Sequence, residues 1–187
     1  MALQPTLNTS RLTLRPFQLV DAQRVQQLAG AREVADTTLN VPHPYPDGAA
    51  EKWIASHQPA WEAGTGVTYA ITDRQSGALY GAVGLVIARE HERAELGYWI
   101  AVPFWNMGYC TEASREIIAL AFGPLHVHRL QAQHLQRNPA SGRVMQKLGM
   151  QHEGLHRETI RKWNRFEDIV MYAMLAREWV VMNGRSR

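Results

Sequence analysis

The nine residues Trp105-Asn106-Met107-Gly108-Tyr109-Cys110-Thr111-Glu112-Ala113 have the types and spacing to hold a phosphate. The apolar run before them, Leu96 to Val102, reads as a strand, and Ala113 to Phe122 after them reads as an amphipathic helix. The first backbone N–H groups of a helix lack internal partners, and the helix dipole favours negative charge there. Gly108 has no Cβ, so the backbone can approach a ligand closely. The same corner also serves as plain strand-to-helix geometry, so other segments must decide between the two.

Those segments occur in order. Glu95-Leu96-Gly97-Tyr98-Trp99-Ile100 precedes the turn, and Arg11-Leu12-Thr13-Leu14-Arg15-Pro16-Phe17 with Asp21-Ala22 lies near the N-terminus. Asn138-Pro139-Ala140-Ser141, Lys147-Leu148-Gly149-Met150, Glu153-Gly154, Arg157-Glu158 and Asp168 with Tyr172 follow. Together they resemble the GNAT superfamily of N-acetyltransferases, and within it the RimJ/RimL-type branch that acetylates ribosomal-protein N-termini. The resemblance spans about residues 10 to 179. It implies a single-domain α/β fold of the α+β type, with a mixed, mostly antiparallel sheet of about seven strands. It also implies acetyl-CoA as cosubstrate, a primary amine as acceptor and direct attack in a ternary complex.

Moving an acetyl group from a thioester to an amine makes four demands. The donor must be held, the amine must lose a proton, the oxyanion needs a donor, and the leaving thiolate needs a proton or hydrogen bond. The resemblance assigns the pyrophosphate to N–H groups around Asn106, Met107, Gly108, Tyr109, Cys110 and Thr111. The pantetheine arm would run beside Trp99, Ile100, Ala101 and Val102 as an added strand, with Trp105, Asn138, Ser141 and Lys147 completing the cofactor contacts. Asn106 stands where the branch commonly has Gly, and Asn tolerates a left-handed backbone. Cys110 stands where Gly or Ala is common and is expected to pack, since no His is arranged around it as a base.

The branch places a useful Glu where this chain has Gln133, which cannot act as a base. Glu95, Glu158 or a water chain remain as candidates, with a paired or surface carboxylate as the plainer role of Glu95. His134 adjoins Gln133, but strand alternation turns it to the opposite face. A Tyr that many GNAT enzymes use on the thiolate side is replaced by Met145. Ser141, in the first turn of the Asn138 helix, is the better donor to sulfur, or else only a helix-start hydrogen bond. Asn138 binds pantetheine or caps its helix. Tyr172 is a further candidate acid, or a core residue. His43, Tyr45 and Trp53, in and after a proline-rich loop, are the candidates for contacting the acceptor amine, or parts of a rigid structural loop.

The elements that position these groups are legible as patterns. Leu12 to Phe17 reads as a strand, and Asp21 as the cap of a helix carrying Ala22, Val25, Leu28 and Ala29. Three prolines between Pro42 and Pro46 make that stretch a loop. Ala49 to Glu62 reads as one helix, bent or shortened by Pro59. Val67 to Thr72 and Leu79 to Ala88 form an antiparallel hairpin turning at Asp73–Gly77, and Glu95 to Val102 is the next strand. His128 to His134 is a strand by position. Asn138-Pro139 starts a helix with Val144 and Leu148 on its buried face, and Gly149 stops it. Glu158 to Trp163 and Asp168 to Leu175 are the last strands, turning at Asn164-Arg165.

Composition narrows the function classes. The chain has 187 residues, 45% hydrophobic and 20% charged, which suits one soluble domain, 1–187. No apolar run approaches the ~18 residues of a membrane span, and Met1 to Pro5 lacks the pattern of a secretory leader, so a cytoplasmic protein is expected. A single cysteine permits no internal disulfide. A net charge of +3 with scattered basic residues argues against direct nucleic-acid binding. The eight histidines form no metal motif, and the P-loop and GxSxG patterns are absent. The acceptor, a protein N-terminus or a small amine such as an amino acid, polyamine or antibiotic, stays open, as do a homodimer and a non-catalytic acyl-CoA sensor.

Overall fold

The computed structural model describes residues 3–184. Strands β1 (Leu7–Asn8) and β2 (Leu12–Pro16) lead to helices α1 (Ala22–Ala29), α2 (Arg32–Thr37), α3 (Ala49–Ala55) and α4 (His57–Ala63). Strands β3 (Gly66–Asp73), β4 (Leu79–Ala88) and β5 (Arg93–Ile100) form a meander. Helix α5 (Tyr109–Phe122), strand β6 (Arg129–Leu135), helix α6 (Pro139–Lys147), strands β7 (Gln151–Lys162) and β8 (Arg165–Leu175), and helix α7 (Ala176–Gly184) complete the order.

The strands make one eight-stranded sheet in the order β1-β2-β3-β4-β5-β6-β8-β7. Its pairings are antiparallel except β5 with β6. That parallel pairing is brief. It runs from Arg93↔Arg129 to Glu95↔Gln131, and the two strands then part. Alternation of side chains sends Val83, Leu85, Leu96 and Leu130 to one face, where they pack with Ile117 of α5 and Met145 of α6. Ala70, Ala82 and Trp99 go to the other face, against Val25 of α1, Val34 of α2 and Ile54 of α3. The parting strands are therefore sandwiched between two separately packed layers.

The α+β class stands, with differences in detail. The eighth strand is β1, two residues too short to show a period. The stretch expected as one helix is two, broken at Ser56. Pro59 has no N–H for the carbonyl of Ala55 and its ring crowds that carbonyl, so the break falls ahead of the proline. Asp21 makes no side-chain cap bond to α1. Its carboxylate instead accepts both Arg15 guanidinium nitrogens, at 2.7 and 2.8 Å, and the Gln18 N–H at 2.8 Å. In α6 the buried side belongs to Gly142 and Met145, with Val144 half-buried and Leu148 buried just past the helix. β7 begins at Gln151 rather than Glu158, because two register shifts disrupt its alternation. The final hairpin turns at Trp163-Asn164, between the paired Lys162 and Arg165, with Trp163 at φ 53°. Among the described residues no helix is long and apolar enough to cross a membrane.

Candidate active site

The turn before α5 has the geometry of an anion seat. Asn106 (φ 61°) and Gly108 (φ 80°) are both left-handed. The bond from the Glu112 N–H to the Gly108 carbonyl, at 3.0 Å, opens the helical ladder, so the N–H groups just before Glu112 face outward from the helix start. Arg11 braces this turn from outside. Its guanidinium donates to the Met107 carbonyl at 3.1 Å and to Glu112 at 2.7 Å, and lies over the Tyr109 ring at 4.5 Å. Glu112 also accepts the Thr9 hydroxyl at 2.6 Å. Burial works against its charge, but the bonds from Thr9 and Arg11 prevail and hold its carboxyl below the usual range. Trp105 ties the turn to β5, its indole N–H donating to the Ile100 carbonyl at 2.6 Å.

The gap between β5 and β6 opens a cavity of about 840 Å³ that continues to the α5 turn and to α1–α3. Glu95 stands where the strands part. Its Oε1 accepts the Gln133 amide at 2.9 Å, and its Oε2 accepts the Gln131 amide at 2.9 Å. On the other face of β5, the Tyr98 hydroxyl lies 2.9 Å from Ser141 Oγ and 3.2 Å from the Ser141 carbonyl. Burial drives the Tyr98 phenol well above its ordinary pKa, so it keeps its proton as a donor. Burial also pushes the Cys110 thiol up to about 12. A thiol held protonated is a poor nucleophile, which fits packing as its role.

Most of the residues singled out in the sequence meet here. Glu95, Ser141, Trp99, Ile100, the run Trp105 to Thr111, Asn138 and Lys147 all line the cavity, as do Tyr45 and Trp53. Ala101 and Val102 do not. The Ala101 N–H bonds the Tyr80 carbonyl at 2.8 Å, and Val102 begins a short 3-10 turn. His43 also lies outside the lining; it is exposed, with Nδ1 at 3.2 Å from the Gly30 carbonyl. Tyr172 is a correction. It is buried in the core with its hydroxyl accepting the Gln146 amide at 3.1 Å, and it does not reach the cavity. Glu158 is exposed on β7, outside the lining. His134 does line the cavity, but it is buried, its Nδ1 lies 2.8 Å from the Leu135 carbonyl, and its Nε2 packs against Gly142. Asn138 caps α6 through the Ser141 N–H at 3.3 Å, while its amide donates to the Thr37 carbonyl at 3.0 Å, joining α6 to α2.

Tyr98 and Gln131 were not singled out from the sequence. Tyr98 is one residue off the face that carries Glu95, and its partner Ser141 lies 43 positions away. Gln131 meets Glu95 only through the strand register. Neither relation leaves a local signal.

A helix start with outward N–H groups, a parted parallel strand pair and a carboxylate at the fork are features that acyl transfer from a coenzyme A thioester would use. Comparison with known proteins agrees. Residues 11–151 match the family described as the acetyltransferase (GNAT) domain. The protein called uncharacterized N-acetyltransferase p20 of Bacillus licheniformis is 30% identical over 93% of this chain and 98% of its own length. Among solved structures, RimL, the ribosomal L7/L12 alpha-N-protein acetyltransferase in complex with coenzyme A, superposes with a TM-score of 0.84 at 16% identity, covering 91% of this chain and 98% of that one. A chimera of the spermidine N-acetyltransferase SpeG from Vibrio cholerae and hSSAT gives 0.78 at 20% identity, covering 91% and 99%. The chain belongs to the GNAT family and is an acetyl-CoA-dependent N-acetyltransferase.

Proposed function

We propose that this enzyme acetylates the N-terminal α-amine of a protein by direct attack on acetyl-CoA, with Glu95 as the base. The observation that carries this reading is the Glu95 carboxylate, fixed by two glutamine amides at the fork of β5 and β6. It faces the same cavity as the outward N–H groups before Glu112 and the Ser141 hydroxyl. Acetyl-CoA supplies an acetyl group activated as a thioester. The N–H groups from Gly108 to Thr111 suit its diphosphate, helped by Lys147 and Arg143 on the same cavity wall. The edge of β5 beyond Glu95, left unpaired by β6, suits the amides of an extended pantetheine arm.

Two glutamine donors leave each Glu95 oxygen a further lone pair to accept a proton from the incoming ammonium. The neutral amine then attacks the thioester carbon, the C–N bond forms, the C–S bond breaks, and the second proton of the nitrogen passes through solvent to the departing thiolate. Ser141 Oγ–H gives that sulfur a hydrogen bond while Tyr98 donates one to Ser141 Oγ, both keeping their protons. Burial of the Cys110 thiol, which favours its protonated form, suits direct attack on acetyl-CoA. A small-amine acceptor is the second reading, since the same architecture carries a spermidine acetyltransferase. Thiol release from acetyl-CoA against peptides with free N-termini, their N-blocked forms and small amines tests the choice. Release with free-N-terminus peptides but not with blocked ones is expected; release with small amines alone overturns the N-terminal reading.

A further inference from the structure

Two consecutive residues between β6 and α6 hold the end of a helix far away in sequence. The last four carbonyls of a helix lack partners within it. In α2 those of Val34 and Ala35 accept the Thr38 hydroxyl at 2.9 and 3.4 Å. The Asp36 carbonyl accepts the Arg137 guanidinium at 2.8 Å, and the Thr37 carbonyl accepts the Asn138 amide at 3.0 Å. Arg137 also donates to the Asp36 carboxylate at 2.8 Å and to both Glu167 oxygens at 2.9 and 3.0 Å. Arg165 reaches the same two carboxylates, Glu167 at 2.7 Å and Asp36 at 3.7 Å. The bond to the Asp36 carbonyl is the one that Arg165 does not duplicate.

The run from Thr37 to Pro42 lines the cavity, while Arg137 does not. Leu39 to Pro42 make no backbone–backbone hydrogen bond among the described residues, so the helix end before them and the packing of Val41 hold this wall. The faces of the sheet say which reactant the wall serves. Alternate residues of a strand share a face. Glu95 therefore shares its face of β5 with Trp99, which belongs to the cluster that includes Val34 of α2. Tyr98 lies on the opposite face with Leu96, against α5 and α6. The base and the α2 wall are on one side of the sheet, and the Tyr98–Ser141 pair is on the other. An amine deprotonated by Glu95 approaches from the α2 side. Arg137 also follows closely on Gln133, the partner of Glu95, so one short stretch touches both the base and the wall.

We propose that Arg137 is a positioning residue for the acceptor, fixing the Thr37–Pro42 wall relative to Glu95 through the Asp36 carbonyl. This rests on Glu95 being the base.

The test compares wild type with Arg137→Gln, Arg137→Lys and Arg129→Gln. Arg129 pairs with Glu153 at side-chain exposures of 30% and 39%, close to the 28% and 37% of Arg137 and Asp36, but Glu153 lies on β7 and not on α2. Its variant controls for the loss of a surface ion pair, which contributes little by itself. Tm and, by calorimetry, acetyl-CoA affinity are measured first. Then kcat and KM are measured for the amine that wild type uses best among free-N-terminus peptides and small amines. Arg137→Gln should raise the acceptor KM at least ten-fold, with kcat within three-fold and acetyl-CoA affinity within two-fold of wild type. Arg137→Lys keeps the charge without the planar fork and should fall between. Arg129→Gln should stay within two-fold of wild type in KM. An unchanged acceptor KM in Arg137→Gln, or a rise that Arg129→Gln matches, overturns the proposal. A lower kcat and Tm with unchanged KM assigns Arg137 a purely structural role and overturns it too. Wild-type turnover is established first, so these failures bear on Arg137 and not on acetyl transfer. No thiol release by wild type with any amine would overturn both.

Discussion

Glu95 and Gln133 face each other across the fork of β5 and β6, carboxylate oxygen to amide nitrogen at 2.9 Å. In the branch this chain resembles, position 133 carries a Glu. Here Gln133 puts an amide donor at that position, and the carboxylate it faces is Glu95. Gln131 repeats the contact on the second oxygen, so the Glu95 carboxylate cannot rotate without breaking a bond.

Removing one of those donors should loosen the base. Gln133→Leu is expected to lower kcat about ten-fold, equivalent to about 1.4 kcal/mol in the barrier, with the KM for acetyl-CoA unchanged. Steady-state kinetics with both substrates varied checks this. A change confined to KM would assign Gln133 to binding instead.

Gly108→Val should weaken acetyl-CoA binding ten-fold or more, about 1.4 kcal/mol. Space is not the obstacle, since a Cβ there would meet only Arg11 Nη2, at 3.5 Å. The obstacle is φ 80°, which a β-branched residue adopts poorly. The turn must remodel, and the N–H groups with it. Calorimetry on the folded variant gives the answer, and wild-type affinity would contradict the loop assignment.

Ser141→Ala and Tyr98→Phe should each reduce kcat while acetyl-CoA affinity is kept. Because the two hydroxyls act through one 2.9 Å contact, the double variant should lose little more than the worse single one. Additive losses in a double-mutant cycle would separate the two roles.

His57 gives a pH-dependent stability. It packs against Trp53 and Phe17, both ring nitrogens are buried without a partner, and burial lowers its pKa from 6.5 to about 4. A lowered imidazole pKa means the unfolded chain binds the proton first. Stability is then full above about pH 6.5 and is lost as pH falls toward 4. Tm measured from pH 7.5 to 5 should fall for wild type, and fall less for His57→Phe. Parallel curves would contradict this.

The sequence carried the site's parts better than their arrangement. The α5 turn was legible because strand, glycine and helix lie within one local run, and the Asn138-Pro139 helix start because capping is local. The short β1 and α2 were not, being two and six residues long with no side-chain cap. α7 was missed because its large apolar residues, Trp179 to Met182, are consecutive and show no helical period. For Tyr172 the sequence left open a candidate acid or a core residue, and its register opposite Ala132 and His152 puts it in the core. The Gln131–Glu95–Gln133 clamp depends on where two strands part, and register is a property of the assembled sheet.

The central claim is that Glu95 deprotonates the acceptor for acetyl transfer. Glu95→Gln keeps the size of the side chain and removes its capacity as a base. Calorimetry with acetyl-CoA, followed in the same sample by thiol release against the best amine, separates binding from chemistry. The account predicts unchanged acetyl-CoA affinity with turnover reduced by roughly a hundred-fold or more. Turnover at the wild-type rate would contradict it.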